Sequence, residues 1–127
     1  EFHLDPLIHF MKPFGFTDYI HLQMNAICTI SDSGTISEES SMLNFAAISL
    51  RQSMERPEAQ DAGTIILTGF EPDFVLNAVS TVIEEYSSCF THHLPPAEYQ
   101  IENSSWRVLK LILGNTKLSN KWWGINF

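Results

Sequence analysis

Basic residues are scarce in this chain: seven Lys and Arg stand against 15 Asp and Glu, for a net charge of −8. The shortage is uneven. Residues 57–105 hold no Lys or Arg, and no acid follows Glu102. Up to residue 105 the balance is 15 acids to 3 bases, a net of −12, and beyond it only Arg107, Lys110, Lys117 and Lys121 are charged. A field of this sign repels phosphate backbones, so nucleic acid is not an expected partner except through the C-terminal stretch. Cysteine is equally sparse. Cys28 and Cys89 are too few for a disulfide scaffold, and two reduced, buried thiols are the default reading. No apolar run approaches the roughly 20 residues that a membrane helix needs. No signal-peptide pattern is visible, and a cytoplasmic location is expected. The six glycines stand singly, with no Gly-x-Gly-x-x-Gly and no phosphate-cradling glycine loop, so no nucleotide cofactor is expected.

The chain does have the means to build a core. It is 127 residues long and 44% hydrophobic, which suits one domain spanning residues 1–127. Residues 18–30 alternate, with Ile20, Leu22, Met24, Ala26, Cys28 and Ile30 on one side, and the period of two predicts a strand. Ser31-Asp32-Ser33-Gly34 reads as a turn. Ser37 as N-cap with Glu38 and Glu39 behind it predicts a helix over about 38–55, and a strand through Leu43–Leu50 is the competing reading. The β-branched run Thr64–Phe70 predicts a buried strand. Pro72 and Asp73 open the clearest element, a helix over about 73–89 with Phe74, Val75, Ala78, Val79, Val82, Ile83 and Tyr86 on one face. Residues 91–102 read as a loop. Trp106–Leu113 predicts a central strand and residues 122–127 a terminal one. The expected fold class is α+β (mixed α/β): a single small sheet of about four strands with two main helices packed on it.

Few residues suggest chemistry. Cys89, His92 and His93 offer soft metal ligands, but a second ligand pair is missing, so no metal site is expected. No serine sits in a nucleophile elbow. Glu84 and Glu85 point about 100° apart on a helix and make no paired-carboxylate site. The tryptophans and lysines of residues 106–123 could stack bases, and an edge strand guarded by lysines explains them as well. With no convergent titratable cluster, no enzyme is expected.

What remains distinctive is the charge field. Basic nuclease toxins call for acidic inhibitors, and in general character the chain resembles a bacterial immunity protein or antitoxin, though no diagnostic motif carries the likeness. That resemblance implies a basic toxin domain as partner. Glu58, Asp61, Glu71, Asp73, Glu84 and Glu85 are the expected contacts, with Tyr86 or Phe45 as aromatic anchor. The alternative is a small enzyme or ligand-binding module with a pocket between sheet and helices, involving His21, Asn25, Cys89 and His92. Phe45, Ile48 and the Trp-rich terminus also form a candidate homodimer surface.

Overall fold

The computed structural model describes residues 3–88 and 94–125. Contacts divide the chain into two compact units, Glu1–Pro95 and Pro96–Phe127.

The first unit is a small parallel sheet with helices between and after its strands. Helix α1 (Phe16–Asn25) leads to β1 (Thr29–Ser31), then α2 (Ile36–Leu43), β2 (Ala47–Ser49), α3 (Glu58–Asp61), β3 (Ile66–Leu67) and α4 (Pro72–Ser87). The strands lie in the order β1-β2-β3. Thr29 pairs with Ala47, Ile30 with Ile48 and Ser31 with Ser49, and Ile48 and Ser49 pair onward with Ile66 and Leu67. Parallel neighbours need a crossover between them. Helices α2 and α3 supply the two crossovers. The mixed α/β class is as expected, with three parallel strands among the described residues.

Strand β2 is central and wholly buried. Ala46 and Ile48 meet Ala78 and Val82 of α4, with Cys28, Ile66, Val75, Val79 and Tyr86 packed around them. Alternation sends Ser49 to the opposite face, where it borders the same cleft as Ser37 of α2. Helix α4 matches the sequence expectation: Pro72 sits at its start, Asp73 lies in its first turn, and Ala78 and Val82, one turn apart, are its buried residues. Strand β3 falls inside the predicted run.

Three expectations are corrected. The segment 18–30 is α1 followed by β1, not one strand. At helical spacing Phe16, Tyr19, Ile20 and Gln23 share a stripe, but the residue it buries is Gln23, a polar side chain that hides the pattern. The helix expected over 38–55 stops at Asn44, which adopts the left-handed conformation (φ 55°) and donates its N–H to Ser40 O. Asn tolerates that conformation better than other non-glycine residues, and it ends helices for that reason. The chain after it forms β2, so the competing strand reading of Leu43–Leu50 holds for Ala47–Ser49 only, while Leu43 stays helical. Phe45 and Ile48 are 4% and 0% exposed, so neither serves as a surface anchor or a self-association patch.

The second unit contains a 3-10 turn (Ala97–Gln100) and helix α5 (Ser104–Trp122). The strand expected at 106–113 is replaced by this helix; of the one expected at 122–127, Trp122 ends the helix, 123–124 form a turn, and 126–127 lie outside the described residues. A nearly continuous apolar run carries no period that separates strand from helix. Lys110 Nζ lies 5.8 Å from the centre of the Trp106 ring, a cation–π contact along one helix face. No helix among the described residues is long and apolar enough to cross a membrane.

Candidate functional site

Open parallel sheets place their binding sites beyond the carboxyl ends of the strands. Here that edge carries Ser31-Asp32-Ser33-Gly34 after β1 and Leu50-Arg51-Gln52-Ser53 after β2. A narrow cleft at this edge is lined by Ser33, Gly34, Ser37, Ser49, Arg51, Met54, Glu55 and Arg56. A broader open cavity of about 340 Å³ shares Arg51 and adds Asp32, Leu50, Gln52, Ser53 and Phe70. The segment predicted as a plain turn therefore forms the wall of a site.

The two arginines converge on Gly34. A Cβ there would lie 3.2 Å from Arg51 Nη1, a tight contact, and 3.5 Å from Arg56 Nη2, an ordinary one, so the missing side chain eases the approach of Arg51. Arg56 donates to Gly34 O at 3.1 Å and pairs with Glu38. Arg51 pairs with Glu55 at 3.3 Å across a carboxylate that is 79% exposed. An exposed pair of this kind contributes little, from about zero to 1 kcal/mol. Arg51 is thus the cation a ligand can recruit at small cost, by displacing Glu55. Ser49 is fully buried, lines the cleft, and its Oγ has no hydrogen-bond partner. A buried hydroxyl without a partner costs about 1–3 kcal/mol, which a ligand oxygen would recover. The N-terminal turn of α2, with Ser37, adds a favourable dipole for negative charge.

A second cavity, about 260 Å³ and mostly apolar, is lined by Phe14, Tyr19, Leu22, Gln23, Ala26, Cys28 and Thr29. Burial pushes the Cys28 thiol up from its ordinary range, which suits an inert thiol rather than a nucleophile. Cys28 is free.

The residues expected to grip a toxin are distributed differently. Glu58 and Asp61 lie on α3, Glu71 and Asp73 at the start of α4, and Glu84, Glu85 and Tyr86 near its end. Tyr86 is half-buried against the core, and none of these residues lines the clefts above. Of the alternative set, His21 and Asn25 sit exposed on α1, where Asn25 donates to His21 O at 2.8 Å. Cys89, His92 and His93 lie outside the described residues. Sequence reasoning missed Ser33, Gly34, Ser49, Arg51 and Arg56. The available signal was a Ser-x-Ser-Gly directly after a strand and before a helix, with two arginines following the next strand.

The model of the UDP-N-acetylglucosamine 2-epimerase family matches residues 2–113 of this chain. The chain belongs to that family. A curated UDP-N-acetylglucosamine 2-epimerase of Neisseria meningitidis is 32% identical over 110 residues, 85% of this chain and 29% of that protein. One from Methanococcus maripaludis is 37% identical over 78 residues, 61% of this chain and 21% of that protein. The structure of the Rickettsia bellii UDP-N-acetylglucosamine 2-epimerase superposes with a TM-score of 0.76 at 43% identity, covering 89% of this chain and 31% of that one. The Neisseria meningitidis enzyme, solved bound to UDP-GlcNAc, superposes at 0.65 and 32% identity, covering 84% of this chain and 29% of that one. The chain thus spans between a fifth and a third of the length of these proteins. The family match ends within α5, nine residues before the helix does.

This overturns the inhibitor reading. The relatives are enzymes, so the expectations of an immunity protein, of a toxin partner and of a non-enzyme are all corrected. The physical error lay in treating net charge as the functional feature. An acidic surface keeps many proteins soluble, and this chain's site gathers some of its few cations instead.

Proposed function

We propose that this chain supplies a nucleotide-sugar-binding face of a UDP-N-acetylglucosamine 2-epimerase, with the diphosphate held at the carboxyl ends of β1 and β2. The observation that carries the reading is the convergence of Arg51 and Arg56 on Gly34, beside the unpartnered Ser49 hydroxyl and the start of α2. Paired guanidinium groups recognise phosphate oxygens through directed, charge-assisted bonds. The narrow cleft has room for about one water-sized group. A single phosphate oxygen therefore enters it as Arg51 leaves Glu55, and the rest of a nucleotide sugar extends into the broader cavity that shares Arg51. In the whole protein such a face binds and orients the substrate for inversion at carbon 2. A cytoplasmic location belongs to the same reading and is checked by fractionation.

Calorimetric titration of the 127-residue chain with UDP-GlcNAc tests the proposal. Saturable binding that Glu55→Gln strengthens about two- to threefold is expected, since the substitution removes a competitor of modest strength. Binding that is unaffected by substitutions at Arg51 and Arg56 would remove the site from consideration.

A further inference from the structure

We draw no further inference here: the strongest candidate, the exposed apolar face of α5 formed by Val108, Leu111, Ile112, Leu118 and Trp122 opposite its row of Arg107, Lys110, Lys117 and Lys121, carries nothing because nothing in the structure shows what covers it.

Discussion

The acidic surface of α3 and α4 and the sheet edge beyond β1 and β2 carry charge in opposite ways. On α3 and α4 the carboxylates Asp61, Asp73 and Glu84 are exposed and spread along the elements. Successive side chains there are separated by the helix rise and turn, so each is solvated on its own. At the sheet edge, two cations from one loop meet over a glycine from another, next to a buried hydroxyl. Density of charge in the sequence is large in the first region, and convergence in space belongs to the second. Ligand recognition depends on convergence, because water screens isolated charges and leaves clustered, partly buried ones effective.

The comparison can be broken most severely from below. Ile48 is fully buried on the central strand and touches the α4 core, while its neighbour Ser49 borders the cleft. Ile48→Ala should cost about 3 kcal/mol in chemical denaturation and abolish ligand binding along with α4 packing. A substitution at the site itself separates the two regions more cleanly. Arg51→Ala should lower UDP-GlcNAc affinity about tenfold, measured by calorimetry, with little change in melting temperature, since only an exposed ion pair is lost.

The pH dependence of stability gives a smaller effect. Burial raises Tyr86 and Cys28 above their ordinary values of 10.0 and 9.0, and Glu85 raises Tyr86 further. The folded state then holds each proton more tightly than the unfolded chain. The resulting stabilisation is complete below about pH 9 and is lost as pH rises through the folded values. Urea unfolding at pH 8 and pH 10.5 should show a loss under about 1 kcal/mol, and Cys28→Ala should remove the earlier part of it. Smallest of all are the acids of the other region. Asp61→Asn and Glu84→Gln should each change stability by no more than about 0.5 kcal/mol and leave UDP-GlcNAc binding unaltered. A clear loss of binding in either variant would restore a functional role to the acidic surface.

Much of the fold was legible where local chemistry and tertiary packing agree. Helix α4 could be read from Pro72, Asp73 and a helical apolar stripe, because that stripe is also the face buried on β2. Strand β3 could be read from its short β-branched run, although as an edge strand it is only half-buried. Legibility failed where the buried residue is polar or the apolar run has no period. Gln23 occupies the inward position of α1, and α5 is mostly apolar over residues 106–113 yet exposed throughout its first ten residues. The site was hidden for a related reason. Ser31-Asp32-Ser33-Gly34 is a common turn composition, and nothing local distinguishes a solvated turn from the crest of a parallel sheet.

By itself the sequence determined the mixed class, the α4 helix, the β3 strand and the uneven charge, since each follows from residue chemistry within a few turns of chain. The tertiary structure alone decided that Asn44 ends a helix so that a central strand can follow. It alone brought Arg51 and Arg56 to Gly34. Those contacts join residues up to 22 positions apart, and their geometry is set by strand register and crossover, which no local pattern encodes.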